Sequence, residues 1–519
     1  MGTLSGNAEG TETTTGLRRV VSIWGSFTWG YADVGADVYV ALGLVAMAAQ
    51  GATPLAFAIT GAVYMLIGLA YTELASTYPV AGGGQYYTLR GLGDIFGFTA
   101  GWALLLDFTI DVSLFALSTA GYVNFFFPAL QRQPWLAIEG LVVVVFLALV
   151  NLRGIRESSW LNEVIGAVDM ISESTIILFG FLFAFNPSFF AHQFVTQFPS
   201  THDFLYGASI AIISFVGLES ISQAAEETLH PATVVPRTSL ALIFTVVIYA
   251  MSFSTLGLGV LPWQVIAQNQ GDPIAVLAHH IPFIGFIAGP FTALLAATLV
   301  LASTNTGIMG YSRITWSMSK LGLLPQWFSA LHSKFRTPYR TIIVFSTLAA
   351  LQIVLASLSP NAYDTLGNMY AFGAVSGYVL VMISLIRLRF LDPDSPRPYK
   401  TPLNVEVSYR GDTVEVPVLG ILGLLGTVAI WVLVMWTHAI GRIAGPAWLL
   451  IGWAFYFYHR RRAGLPLLGT VARDWEAEQR AVLRSAGEYR LLRQYEAALA
   501  RREARRAVKA GTGEAGDDE

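Results

Sequence analysis

No cysteine occurs among the 519 residues, which excludes disulfides, thiol nucleophiles and thiolate metal sites. Charge is scarce as well. Asp, Glu, Lys and Arg make up 13% of the chain, against roughly 25% in soluble domains. The eight histidines show no metal-ligand spacing, and no hydrolase triad is in sight, so neither a metal site nor an enzyme is expected. AGGGQ (Ala81–Gln85) lacks the Gly-Lys-Ser/Thr of a phosphate loop and reads as a turn before the third helix. The opening MGTLSG lacks the Ser or Thr at position 6 of a myristoylation signal. Residues 1–17 are polar, and the apolar block behind them is too long for a removable signal peptide.

What the chain has is apolar length: 54% of residues are hydrophobic and the mean hydropathy is +0.56. A helical crossing of the bilayer takes about 20 residues. Twelve segments qualify: 20–49, 54–77, 94–124, 135–151, 159–186, 204–228, 237–261, 284–318, 341–358, 364–388, 416–437 and 443–459. The fold class expected is an all-α integral membrane protein with about 12 transmembrane helices, its main partner the lipid bilayer. Basic residues set the orientation. With the N-terminus inside, 29 of the 31 Lys and Arg fall on the cytoplasmic side, and only Arg132 and Arg442 on the other. Both termini are therefore expected in the cytoplasm, at the plasma membrane. No basic residue lies in the middle of any segment.

Acids behave differently. Asp33 and Asp37 lie in the first segment, Asp107 and Asp111 in the third, Asp169 and Glu173 in the fifth. Each pair is spaced i, i+4 and so lines one helix face. A central Asp costs roughly 2.5–3.5 kcal/mol to insert, so six uncompensated acids would cost about 15–20 kcal/mol. With no base beside them they must be protonated, hydrogen-bonded, facing water or holding a cation.

Gly30 and Gly35 fall near the middle of the first segment, and Ser214–Glu219 interrupts the sixth with Gly217. Broken helices expose backbone groups that bind ions and substrates. Two such segments, five helices apart, fit an inverted repeat of five plus five. A discontinuous first helix and a discontinuous sixth are both expected.

Four separated stretches, in order, resemble the amino acid–polyamine–organocation (APC) superfamily: Tyr71–Phe108, Ser214–Arg237, Gly310–Arg340 and Arg397–Leu403. The resemblance covers roughly residues 20–460. It implies the LeuT-type fold and alternating access around a site near midplane. The family's G-x-G element in the first helix, which holds a substrate carboxylate, is matched by Gly35-Ala36-Asp37, where an ionised Asp37 would repel a carboxylate and attract a cation. Where related carriers have a fifth-helix lysine, this chain has Asp169, a candidate for a coupling cation or proton. The resemblance places Ser303, Thr304 and Asn305 of the eighth segment opposite the first helix as oxygen ligands. Tyr31–Tyr39 is also similar to the first-helix element of KUP-type potassium transporters, with Asp33 and Tyr39 as counterparts of an aspartate–tyrosine pair and Asp107 similarly placed.

The resulting layout is a disordered N-terminus (1–19) and a ten-helix core (20–388, with repeats 20–186 and 204–388). A loop with a hairpin (389–415), two peripheral helices (416–459) and a helical tail (460–519) follow. The hairpin pairs Val405, Val407 and Tyr409 with Val414, Val416 and Val418 about Gly411-Asp412. In the tail, 472–509 read as helix with a thin stripe of Val482, Tyr489, Leu492 and Leu499, a solvated arm in preference to a docking helix, and the last ten residues read as disordered.

The function expected is a secondary transporter importing amino acids or small cationic amines, coupled to H⁺ or Na⁺, with no cofactor and no nucleic-acid partner. Asp33 and Asp37 receive a cation, Asp107 stands near them, Tyr39, Phe215 and Tyr370 shape the pocket, and Ser214–Gly217 offer backbone groups. Asp33, Asp169, Ser303 and Thr304 are the coupling-ion candidates. The competing readings are a carrier for a monovalent inorganic cation, potassium with protons, and a transporter-derived sensor with the tail as output. Sequence leaves the oligomeric state open.

Overall fold

The computed structural model describes residues 19, 21–80, 82–153, 158–409 and 412–511. The expectations for residues 1–18, for Ala81 and Gly411, and for residues 512–519 lie outside the described residues.

Local chemistry sets the boundaries of the first two helices. α1 (Ile23–Ala49) starts at Ser22, whose hydroxyl accepts from Gly25 N at 3.0 Å, and stops at Gln50, where φ is 47°. A single turn later α2 (Thr53–Thr77) begins with Pro54 in its first turn, where a missing N–H leaves no bond unmade. α3 (Gly84–Leu92) and α4 (Asp94–Val123) meet at Gly93, with φ at 94°. α5 (Trp135–Arg153), α6 (Ser158–Phe179), α7 (Pro187–Thr196), α8 (Thr201–Ile210) and α9 (Glu219–Ala224) follow. Then come α10 (Pro231–Val260), α11 (Trp263–Gln268), α12 (Pro273–His279), α13 (Gly285–Lys320), α14 (Tyr339–Ser357) and α15 (Ala362–Leu391). After the hairpin β1 (Asn404–Tyr409) and β2 (Asp412–Pro417), the chain ends in α16 (Val418–Thr437), α17 (Gly441–Arg462), α18 (Trp475–Ser485) and α19 (Tyr489–Gly511).

Ten runs among the described residues are long and apolar enough to cross a membrane, and the first, Ile23–Thr77, contains both α1 and α2. α17, expected as a further crossing, is not among these runs; Arg442 lies in its first turn and His459, Arg460, Arg461 and Arg462 in its last. The protein is an all-α, multi-pass membrane protein. α1 and α4 are buried on nearly every side, as helices enclosed by other helices must be. α4 packs mainly on α13 and α15, and α1 on α10, α13 and the α8–α9 region. On the rim, Val142, Phe146 and Leu149 of α5, Leu351 and Leu355 of α14, and Leu425 and Val432 of α16 are exposed. Such a belt would be a liability in water and is the matching surface for hydrocarbon.

The expectations for the first helix and for the tail need correction. α1 is continuous through Gly30 and Gly35. Neither glycine opens the helix, because both serve close packing: a Cβ would come within 2.7 Å of Ile221 and Leu242 at Gly30, and within 2.9 Å of the Tyr31 ring at Gly35. The sixth segment does break, through a tight turn at Ala211–Phe215, an extended Val216 and Gly217 at φ 107°, before α9 starts. Gly82 and Gly83 turn the chain into the buried helix α3, where Arg90 is buried and paired with Asp392 at 2.7 Å. The tail is not a solvated arm: Val482, Leu483, Leu492, Tyr495 and Leu499 are buried, with Gly487 (φ 71°) separating its two helices, and Tyr489 is the exposed member of the stripe. The hairpin forms, Val405 facing Val416 and Val407 facing Val414, but Asp412, expected in the turn, lies in the strand opposite Tyr409, and Val418, expected in the hairpin, opens α16. Arg19 Nε donates to Ser485 O at 3.2 Å, so the two ends of the chain lie on one face of the bundle.

Candidate functional site

The break in the sixth segment brings α9 against the middle of α1. Ser220 Oγ donates to Asp33 Oδ2, and Thr306 Oγ1, from α13, donates to Asp33 Oδ1 at 2.5 Å. Ser303 Oγ lies 3.5 Å from Asp33 O. Gly217 is required here twice over: its φ of 107° is a left-handed conformation, and a Cβ would sit 2.8 Å from Asp33 Oδ2.

Four further acids gather around Asp33. Asp37 lies among Asp33, Asp107, Asp111 and Glu219. Asp107 stands beside Gly373 of α15, and Asp111 packs onto Gly307 of α13. The Glu219 carboxyl accepts from Tyr378 OH at 2.9 Å. Asp37 Oδ2, both oxygens of Asp107 and of Asp111, and Glu219 Oε1 close no well-formed hydrogen bond among the described residues, and none of the five acids forms an ion pair there. Tyrosines wall the cluster. Tyr370 faces Asp37 and Asp111, Tyr64 faces Glu219 and Asp37, and Tyr71 faces Glu219 and Asp107. The hydroxyls of Tyr64 and Tyr71 and the Ser214 Oγ are also without partners. The Asp107 and Glu219 carboxyls nonetheless lie close enough to share a proton, and the Tyr370 hydroxyl lies beside Asp111. Buried polar atoms are normally satisfied, so the oxygens left over can accept from a donor or a cation. Among the described residues no three His, Asp or Glu side chains are arranged to hold a metal ion.

A second polar centre lies on the other side of α1. Asp169 accepts from Tyr31 OH and Tyr39 OH, both at 2.9 Å, and Tyr31 OH also bonds Glu173. Tyr122 OH fixes this side by donating to Tyr39 O at 2.7 Å. α1 thus carries two acids, Asp33 and Asp37, on one face and, on the other, two tyrosines that bond α6.

The sequence-derived candidates divide accordingly. Asp33, Asp37, Asp107, Gly217, Tyr370 and Ser303 come together. Gly35 and Ala36 are buried in the helix wall between the two centres. Tyr39 belongs with Asp169 and does not pair with Asp33. Phe215 packs on α2, stacked on Tyr64 at 5.1 Å, and supports the Tyr64 wall from behind. Thr304 turns its hydroxyl back to Val300 O at 2.8 Å, and Asn305 binds Asn151 at 2.7 Å. Thr306 takes the role expected of Thr304, because three residues on from Ser303 returns to nearly the same helix face and one residue on does not. Glu219, Ser220, Tyr64, Tyr71 and Tyr378 were missed as site residues. Glu219, in the quoted break at Ser214–Glu219, was the available signal; the tyrosines converge from α2 and α15 with no shared sequence pattern.

Comparison with known proteins agrees with this architecture. The family model described as amino acid permease matches residues 23–456. A branched-chain amino acid permease of Bacillus subtilis is 27% identical over 83% of this chain and 90% of its own length. Cationic amino acid transporter 4 of Mus musculus, and a vacuolar cationic amino acid transporter 4 of Arabidopsis thaliana, are each 27% identical over 74% of this chain, which spans 61% and 64% of their lengths. The acid-lined centre is therefore the core of a transporter, not of an enzyme, and the chain belongs to the amino acid permease family of the APC superfamily.

Proposed function

We propose that this permease is a secondary active transporter that imports a small organic cation, an amine or a cationic amino acid, by alternating access with both termini in the cytoplasm. The observation that carries this reading is the group of five buried acids on α1, α4 and α9 with tyrosine rings around them and no ion-pairing base. A cation entering there supplies the missing charge and gains attraction from the ring faces. Asp37, in place of the second glycine of G-x-G, favours an ammonium group over a carboxylate, and the continuous α1 keeps the local N–H groups engaged in the helix. Asp33 orients through Ser220 and Thr306. Asp169 and Glu173, held by Tyr31, form the site for the coupling H⁺ or Na⁺.

The test is substrate-induced current in proteoliposomes, with diamines, cationic and neutral amino acids, K⁺ and Rb⁺ at two pH values. Currents with organic cations are expected. Currents with K⁺ and Rb⁺ alone would replace this reading with an inorganic-cation carrier.

A further inference from the structure

Helix α18 lies across the face of the bundle where Arg19 leads into α1. Gln479 is buried; its Nε2 donates to Thr77 O at the end of α2 (2.9 Å), and its Oε1 accepts from Arg90 on α3 (3.3 Å). Glu478 accepts from Tyr86 OH at 3.1 Å, and Trp475 meets the Tyr86 ring edge-on at 5.9 Å. Just ahead of the helix, Arg473 bonds Asp94 of α4 (2.5 Å) and Leu321 O beyond α13 (2.9 Å). Just after it, Glu488 accepts from Ala232 N of α10 at 3.3 Å. Arg19, at the entrance to α1, binds Ser485 O on α18 and also Ala225 O and Thr228 O, both at 3.0 Å, beyond α9.

Beneath α18 lies a cavity of about 380 Å³, walled by Val80, Tyr86, Glu226, Trp316, Ser317 and Lys320 and roofed by Glu478, Ala481 and Val482. α9 runs from Glu219 and Ser220 at the central acids to Ser222 and Gln223 on this side, a rise of about 1.5 Å per residue. At that end the chain is sealed tightly: a Cβ at Gly83 would lie 2.5 Å from Ser222 Oγ, and one at Gly82 2.6 Å from Ser317 Oγ. The cavity lies on this side of the bundle, and Glu478, Ala481 and Val482 of α18 form part of its lining.

We infer that this cavity is the vestibule on the tail side of the central site and that α18 is its autoinhibitory latch: it covers the vestibule and ties the base of α1 to α2, α3, α10 and α13, so that the path from the central acids to the cytoplasm opens only when α18 lifts. This rests on the transporter reading and its orientation. The latch is polar at most of its ties to the bundle and apolar only at Trp475 and Val482, while Leu483 packs on α19, which suits a contact that opens and recloses.

The absence of native cysteine makes the test clean. Ser317→Cys, nearly isosteric and on the vestibule wall, becomes the sole thiol, and its labelling by a membrane-impermeant maleimide is read from the tail side in proteoliposomes. A docked latch leaves a minor open population of roughly 0.1–10%, so deleting residues 474–519, or combining Gln479→Ala with Trp475→Ala in the full chain, should raise labelling about tenfold and raise Vmax of uptake. The paired substitution keeps the test intact if the truncated chain fails to assemble. Labelling that does not change in the paired variant overturns the latch. Faster labelling with no uptake of any substrate upholds the latch and removes the transporter reading; uptake with labelling indifferent to the tail does the reverse.

Discussion

Thr306 Oγ1 donates to Asp33 Oδ1 across 2.5 Å, joining α13 to the middle of α1. With Ser220 on the other oxygen, the Asp33 carboxyl is held by two hydroxyls from two different helices. A hydrogen bond to a charged group contributes about 1.5–3 kcal/mol, and about 1.4 kcal/mol is tenfold in affinity. Thr306→Val should therefore raise KM for the transported cation roughly tenfold or more. Thr304→Val, whose hydroxyl serves only its own helix, should leave KM near that of the unaltered protein. Equal effects of the two would count against the Asp33 assignment.

Among the described residues Asp37 Oδ2 has no partner in the centre of the acid cluster. Asp37→Asn keeps the volume and removes a carboxyl that can ionise opposite a bound cation. Losing the charge that meets a buried cation costs about 2–5 kcal/mol, so uptake should fall roughly 100-fold. The thermal midpoint in detergent should hold or rise, since a neutral amide is no harder to bury than the acid it replaces. Normal uptake of cations by this variant would falsify the direct role of Asp37.

The acids were legible because a charge in an apolar run is unmistakable against its neighbours, and their i, i+4 spacing gave the face. The partition was not legible. Tyr39 and Asp33 are six residues apart, yet Tyr39 serves Asp169 and Asp33 serves Ser220 and Thr306, a distinction set by which helices flank α1. The break at Gly217 was readable since its φ of 107° needs glycine. Gly30 and Gly35 carry the same letter for a different reason, close packing, and sequence alone does not separate the two uses. The tail misled for a related reason. Its thin apolar stripe understates burial, because Gln479 and the Arg19, Arg90 and Arg473 contacts anchor it through polar groups.

Gly217→Ala places a Cβ 2.8 Å from Asp33 Oδ2 in a left-handed conformation, which costs an L-residue about 1–2 kcal/mol. The substitution should lower the thermal midpoint by a few degrees and reduce uptake by disturbing the Asp33 carboxyl. Gly322→Ala offers the control, since it has φ 75° but open space around it: stability should fall there without a change in KM. A KM shift at Gly322 matching that at Gly217 would undo the argument from contact.

Tyr31 OH bonds both Asp169 and Glu173, while Tyr39 holds Asp169 alone. Tyr31→Phe should loosen Glu173 and leave Asp169 one donor. If this pair takes the coupling ion, uptake by the variant should lose its dependence on an imposed pH or Na⁺ gradient while exchange of bound substrate persists. The measurement compares gradient-driven uptake with exchange in the same vesicles. Loss of both in equal proportion would make Tyr31 a structural residue only.

Glu478 gives the latch a pH dependence with a definite sign. Burial raises its carboxyl above the ordinary value of 4.5, against the lowering pull of the Tyr86 hydroxyl, Arg90 and Arg473; Glu226 and Lys320 line the same cavity. A docked group with a raised value favours the protonated form, so its contribution to docking is full below 4.5 and is lost as pH rises through the raised value. Glu478→Gln mimics the protonated acid and keeps an acceptor for Tyr86. In the Ser317→Cys background, the ratio of labelling rates, variant over unaltered tail at the same pH, cancels the thiol's own ionisation. That ratio should lie below 1 near neutral pH, since the variant stays docked, and approach 1 as pH falls toward about 5. A ratio above 1 at neutral pH would mean that the ionised Glu478, paired to Arg90 and Arg473, is what holds α18 down.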